Sequence, residues 1–339
     1  MKFSELGEFK FIERISHHYP STNPFVIKGI GDDAAVMSVS RDSVILVTTD
    51  QLIEGFHFQL AATEGWKLGW KALAVNLSDV AAMGGTPVGY TLSLGIPTRR
   101  VSLTFLDEFY RGLSRLGKKE TVALLGGDTS ESGERLTISI SVIGTALREQ
   151  VVYRNGANDG DDIYVTGWLG DASVGLKLIE RGEKTTEALE LIERHLCPTP
   201  RTREGRLLAE KGIPTAMIDV SDGLLADLNH ILHQSGLGAE IELSALPLSQ
   251  AFRSCAAPCS ADPLMLALGG GEDYELLFSA SIGRREEIEG ICEDLSCPIT
   301  RIGRLSKEIQ GILLKDKQGM TRKADPLGYD HFKTNRTSS

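Results

Sequence analysis

Residues 66–85 read WKLGWKALAVNLSDVAAMGG, and this stretch decides the fold. Trp66, Trp70, Leu73, Leu77 and Val80 recur at four- and three-residue steps, the spacing of one apolar stripe along an α-helix. Asn76, Asp79 and Met83 fall on a neighbouring face, and Gly84 and Gly85 supply the stop. Asp79 therefore belongs to the last helical turn, where the helix dipole disfavours an anion. An acid in that place invites a cation. Upstream, SVILVTTD at 43–50 is a β-branched run ending in Asp, which predicts a buried strand with polar residues at its C-terminal end. Downstream, the pattern predicts a strand over 88–94, a helix over 101–116, a strand over 121–125 and an alternating strand over 136–144. This βαβαββ order reads as a ferredoxin-like α+β domain. NGANDGD at 155–161 is polar and Gly-rich, which places a boundary between a domain of residues 1–150 and one of residues 151–339. The second half alternates strands, at 163–166, 216–220, 239–243, 275–279 and 299–302, with helices, and reads as an α/β domain.

With 339 residues, 41% of them hydrophobic, 36 glycines and 12 prolines, the chain has ample capacity for two folded cores. A net charge of −10 argues against nucleic acid or an anionic membrane as partner, since both reward basic patches. It leaves room for a phosphate ligand whose charge is carried by metal ions. The first residues lack the apolar core of a signal peptide and no run is long enough to span a bilayer, so a cytoplasmic protein is expected. The five cysteines are odd in number and form no Cys-x-x-Cys pair, which predicts reduced thiols.

Five short stretches carry the chemistry: Gly29-Ile30-Gly31-Asp32-Asp33, Thr48-Thr49-Asp50, Asn76-Leu77-Ser78-Asp79, Gly126-Gly127-Asp128 and Asp219-Val220-Ser221-Asp222-Gly223. Each joins small or hydroxyl residues to an acid, where a phosphate site would ordinarily show lysine. Solvated turn caps account for any one of them singly. Brought together, they have a different meaning. Two like charges about 4 Å apart repel by roughly 4 kcal/mol at an effective dielectric of about 20, so convergent carboxylates need neutralising. Mg²⁺ does this through one or two carboxylates plus substrate phosphates, and the inferred ligand is a metal–polyphosphate complex. Gly112-x4-Gly117-Lys118 fails as a P-loop because Lys119 follows and the stretch ends a predicted helix. The turn at 29–34 fails as a dinucleotide fingerprint because two carboxylates would meet the pyrophosphate.

The motifs Gly-Ile-Gly-Asp-Asp-Ala-Ala at 29–35, Thr-Thr-Asp at 48–50 with Glu-Gly-Phe-His-Phe at 54–58, and Lys-Ala-Leu-Ala-Val-Asn-Leu-Ser-Asp at 71–79 run in order along the chain. They continue with Gly-Gly-Asp-Thr at 126–129, Asp-Val-Ser-Asp-Gly-Leu at 219–224, Gly-Gly-Glu-Asp-Tyr-Glu-Leu at 270–276 and Gly-Tyr-Asp-His-Phe at 328–332. Together they resemble the thiamine-monophosphate kinase family, within the superfamily that includes aminoimidazole ribonucleotide synthetase. The resemblance implies an N-terminal ferredoxin-like domain that pairs with its twin into a β-barrel homodimer, a C-terminal α/β domain, and ATP-dependent phosphorylation of thiamine monophosphate. It implies Asp33, Thr48, Thr49, Asp50, Asp79, Asp128, Asp219 and Asp222 as ligands of several Mg²⁺ ions. Tyr110, Gly127, Asp128, Arg154 and Ser221 are implied as nucleotide contacts, and His57, Glu272 and Tyr329 as substrate contacts. A phosphate acceptor, with its second pKa near 6, is already anionic at pH 7, so no general base is expected. Two alternatives stay open at this point: another ATP-dependent synthetase of the superfamily, although no cysteine precedes Cys197, and a sensor that binds Mg-nucleotide without turnover.

Overall fold

The structure, a computed structural model, describes residues 24–295, 297–326 and 328. Its first half runs β1 (Val26–Lys28), β2 (Ala35–Ser38), β3 (Ser43–Ile53), α1 (Gly65–Ala82), β4 (Thr86–Ile96), α2 (Leu103–Glu120), β5 (Ala123–Glu131) and β6 (Thr137–Leu147). The expected βαβαββ order is present from β3 onward, preceded by a hairpin whose strands are too short to carry a period. The sheet order is β1-β2-β3-β6-β4-β5. Strand β6 runs antiparallel to both β3 and β4, and β5 lies parallel to β4 at the edge.

Burial alternates along β3 and β6 because one face of the sheet packs on α1 and α2 while the other stays open. Val44, Leu46, Leu92, Leu94, Ile138, Ile140 and Val142 form a core with Leu68, Leu73 and Leu77 of α1 and Leu113 of α2. The two helices approach closely because glycines meet at their crossing. A Cβ added at Gly112 would lie 1.9 Å from the Trp66 carbonyl oxygen, and one at Gly69 would lie 2.0 Å from that of Phe109. Helix α1 stops where expected: Gly84 adopts φ 70°, and the amides of Gly84 and Gly85 donate back to Ala81 and Val80. Trp66 and Trp70, which continue the apolar stripe in the sequence, are half-buried. Their rings are flanked by Lys67, Arg115 and Lys119 at 5.4–5.9 Å from the ring centres.

The second half runs β7 (Asp162–Thr166), α3 (Asp171–Arg181), α4 (Thr186–Leu196), α5 (Thr202–Glu210), β8 (Ala216–Asp219), α6 (Leu224–Ser235), β9 (Gly238–Glu242), α7 (Gln250–Cys259) and α8 (Leu264–Gly269). It ends with β10 (Leu276–Ala280), α9 (Arg285–Asp294), β11 (Ile299–Ser306), β12 (Ile312–Lys315) and β13 (Thr321–Ala324). Its sheet order is β13-β12-β9-β11-β7-β10-β8. Strand and helix alternate along the chain, yet among these strands only β12 and β9 pair in parallel. The protein is thus a mixed α/β fold on two mixed sheets. Strands β7, β8 and β10 are buried throughout, as expected where helices cover both faces. No helix among the described residues is long and apolar enough to cross a membrane.

The two halves meet along α1. Ala81 and Ala82 join a core with Leu208, Ala209 and Phe278 of the second half, and a Cβ at Gly205 would lie 2.1 Å from the Ala81 oxygen. Helix α1 therefore carries side chains to both sheets at once.

Candidate active site at the junction of the two sheets

Three carboxylates from three separate segments converge at this junction. Asp33 comes from the β1–β2 loop, Asp79 from the last turn of α1 and Asp219 from the end of β8, and one carboxylate oxygen of each lies within 4.8 Å of the others. Asp33 and Asp219 are buried. Asp50, three residues before the end of β3, which runs past the expected stop at residue 50, is close enough to Asp79 for their charges to repel. Hydroxyls and amides hold the group in place. Thr48 Oγ1 donates to Asp79 Oδ2 at 2.5 Å, Ser78 Oγ donates to Asp219 Oδ2 at 2.6 Å, and the Asp50 amide donates to Asn76 Oδ1 at 2.9 Å.

The electrostatics follow from the geometry. Burial, then repulsion from Asp33, pushes the Asp219 carboxyl up to about 8 and that of Asp50 up to about 6. Burial, followed by Asp50, Asp219 and Asp33, pushes Asp79 well above the usual range. Arg154 is the cation within this group. Its Nε and a terminal nitrogen donate to the two Asp33 oxygens at 3.0 and 2.9 Å, a bidentate fork. Burial disfavours the guanidinium charge, but Asp33 and then Asp32 outweigh it. One guanidinium faces several carboxylates, so the group cannot ionise fully without further cations. The donor set is all oxygen, carboxylates with a threonine hydroxyl, which is the chemistry of a hard divalent cation.

The loop after β8 is braced from behind. The amides of Ser221, Asp222 and Gly223 all donate to Asp227 Oδ2, at 3.1, 3.1 and 2.9 Å. This carboxylate fixes the segment that carries Asp219, Ser221 and Asp222, and it also occupies the amides at the start of α6 that would otherwise meet an anion. A second loop is strapped across it: the Glu272 amide donates to the Ser221 oxygen at 2.7 Å and the Tyr274 amide to the Val220 oxygen at 2.9 Å. Glu272 and Tyr274 take φ values of 68° and 51°, a left-handed conformation that non-glycine residues rarely adopt and that the two straps hold in place. The acids of this loop diverge. Asp273 caps the start of α3 through the Gly170 and Ala172 amides, and Glu275 takes the guanidinium of Arg201. Glu272 turns toward Lys71, whose Nζ lies 2.9 Å from Oε1, and toward His195, whose Nδ1 lies 3.1 Å from Oε2. Burial raises the Glu272 carboxyl, but Lys71 beside it overcomes this and holds it below its usual range; burial and then Lys71 push His195 down to about 4, so at neutral pH it faces Glu272 as an uncharged imidazole.

The sequence-derived site therefore assembles in part. Asp33, Thr48, Asp50, Asp79, Asp219, Ser221, Asp222 and Arg154 gather at the junction, with Glu272 and His57 together on its flank. Thr49 departs from expectation: strand alternation turns its side chain to the opposite face, where its Oγ1 donates to the Ile140 oxygen and accepts from Ser141, each at 3.0 Å. Gly127 and Asp128 stand on exposed β5, which extends to Glu131 and so runs well past the expected end. Asp128 aligns with Ser93, which aligns with Ser139 and then Gln51, so it lies three strands from β3, about 14 Å at ~4.8 Å per strand. Tyr110 lines a cleft of about 550 Å³ with Tyr90, Leu113 and Leu124 on that same side. These three are not brought to the aspartates within one chain. Tyr329 lies outside the described residues. Lys71 opens the 71–79 motif without a role of its own, and His195 and Asp227 stand in no quoted motif; each declares its role only through the group it touches.

The chain matches the family model AIR synthase related protein, N-terminal domain, over residues 31–146, and AIR synthase related protein, C-terminal domain, over residues 158–313. It is similar to the thiamine-monophosphate kinase of Salmonella typhimurium, with 39% identity over 331 residues that cover 97% of this chain and 99% of the relative. A solved structure described as AaThiL complexed with AMPPCP and TMP superposes with a TM-score of 0.85 at 35% identity, covering 98% of this chain and 99% of that one. The thiamine-monophosphate kinase of Stenotrophomonas maltophilia gives a TM-score of 0.75 at 38% identity, over 91% and 96% of the two chains.

Proposed function

The chain belongs to the thiamine-monophosphate kinases, a family of AIR synthase related proteins, and from that membership we propose that it transfers the γ-phosphoryl group of ATP to thiamine monophosphate, yielding thiamine diphosphate and ADP. The observation that carries this reading is the convergence of Asp33, Asp79 and Asp219 beside Arg154 and Glu272. Asp33, Thr48, Asp50, Asp79, Asp219 and Asp222 are the residues that would hold Mg²⁺, and the carboxylate excess leaves room for several ions. When bound, such ions neutralise charge on the phosphoryl oxygens.

The residues of the chain supply position. The β8–α6 loop, braced by Asp227, sets Asp219 and Ser221 for the triphosphate side, while the strapped loop carries Glu272 toward the acceptor with His57 near it. Arg154, released from Asp33 as metal takes its place, would fork onto a phosphate. The acceptor phosphate attacks the γ-phosphorus in line, with no phosphoenzyme and no general base, since an anionic oxygen already has its lone pair free. The grouping of β1–β6 into one sheet and β7–β13 into another supports a division into residues 1–150 and 151–339. In the first sheet, Val88, Leu124 and Leu125 are left uncovered, which supports a ferredoxin-like unit closed into a barrel by a second copy. On this reading Tyr110, Gly127 and Asp128 meet nucleotide across that dimer face. The test is ADP release with and without thiamine monophosphate. Release that requires the acceptor is expected; tight nucleotide binding without release would make the protein a sensor instead.

A further inference from the structure

Lys71 is among the most deeply buried side chains of the protein, 1% exposed, although it is a lysine. Buried lysines are rare unless paired. Lys71 Nζ and His195 Nδ1 make no well-angled hydrogen bond among the described residues, and the Glu272 carboxylate, 2.9 and 3.1 Å away, is the anion that faces both. The arrangement joins the two halves of the chain, since Lys71 belongs to α1, while His195 ends α4 and Glu272 sits in the strapped loop. Lys71 and Ser78, seven positions apart, share one face of α1. Ser78 holds the metal-site carboxylate of Asp219, and Lys71 holds Glu272. From Lys71 to Asp79 the helix rises about 12 Å at ~1.5 Å per residue. One rigid helix thus spaces the aspartate cluster from Glu272.

We propose that Lys71 is a positioning residue for the acceptor: with His195 as second clamp, it fixes the Glu272 carboxylate at a set distance from the phosphoryl-transfer site, and so determines how thiamine monophosphate is seated. This rests on the reading of Glu272 as an acceptor contact. The backbone of Glu272 is already tied to the metal-bearing loop through Ser221, which leaves the direction of its side chain to be set by what the carboxylate meets. Lys71 meets it from the opposite half.

The experiment compares wild type, Lys71→Met, Lys71→Arg, Glu272→Gln and the double variant Lys71→Met/Glu272→Gln, by the KM of each substrate and by thermal unfolding. Lys71→Met should raise the KM for thiamine monophosphate about tenfold or more while leaving that for ATP within about twofold, and Lys71→Arg should restore most of the loss. In the Glu272→Gln background, Lys71→Met should add less than about twofold, since residues acting as one unit are not additive. If Lys71→Met leaves Glu272 unpaired and the protein fails to fold, the double variant, which lacks both charges, carries the test through calorimetric titration with thiamine monophosphate; it should then bind as weakly as Glu272→Gln alone. Equal change in both KM values, or multiplying effects of the two substitutions, would overturn the proposal. A rise in Glu272→Gln with none in Lys71→Met would overturn it while leaving Glu272 as a contact. An unchanged KM in Glu272→Gln would remove the contact itself, and wild-type ADP release that ignores the acceptor would remove the kinase reading.

Discussion

Asp79 is placed against its own electrostatic interest, in the last turn of α1 and facing three other carboxylates, and that cost sets a measurable trade between stability and activity. In metal-free protein its folded form keeps a proton that the unfolded chain gives up above about pH 4. The native state then binds more protons than the unfolded one, and stability falls as pH rises. Asp79→Asn removes this term, so the metal-free variant should melt at a higher temperature than wild type, by a margin that widens from pH 5 to pH 8, while turnover drops by orders of magnitude. Thermal unfolding in EDTA at both pH values checks the first half and ADP release the second; a variant less stable at pH 8 would mean that Asp79 is not repelled there. Residues of this kind were legible in the sequence because five stretches repeat the same pairing of small or hydroxyl residues with an acid, although any one of them alone would read as a turn cap. Lys71, His195 and Asp227 were not, because a lysine at one helix position reads as solvated until the partner across the junction is seen. The opposite facing of Thr49 was likewise not marked by its motif, since adjacent residues share a strand but point to opposite sides of it.

At the scale of elements, α1 does most of the organising. Its stripe, its stop at Gly84 and its place between β3 and β4 were all readable, since each rests on local period and chain reversal. The α1–α2 crossing was not, because nothing local marks which glycines face a neighbour. Gly112→Ala would drive a methyl group into the Trp66 carbonyl, and overpacking of this kind costs about 1–3 kcal/mol. Helix α1 would have to shift, moving Asn76, Ser78 and Asp79 with it. The expected outcome is a lower unfolding midpoint together with reduced turnover even below that midpoint; a variant that unfolds early yet turns over normally at low temperature would separate the crossing from the site. Strand β5 shows the limit of pattern reading at an edge. Its Gly126-Gly127-Asp128-Thr129 segment lacks the apolar alternation of a strand and is held instead by pairing to β4, a contact far away in the sequence. The short strands β1, β2, β12 and β13 escaped for lack of length.

For the molecule as a whole, the two sheets matter less as separate units than as the two walls of one acidic junction. Strand and helix alternation in the second half was readable, but the largely antiparallel pairing was not, since the order of strands in a sheet depends on crossovers that no local signal encodes. Asp33, Asp79 and Asp219 converge from segments nearly two hundred positions apart, and under the proposed function metal and triphosphate would be held there together. Calorimetric titration of AMPPCP into wild type and Asp79→Asn, each with excess Mg²⁺ and with EDTA, reads this coupling between metal and nucleotide. Removing Mg²⁺ should weaken binding to wild type at least about tenfold and change little in the variant; equal affinity of wild type in Mg²⁺ and in EDTA would contradict the account.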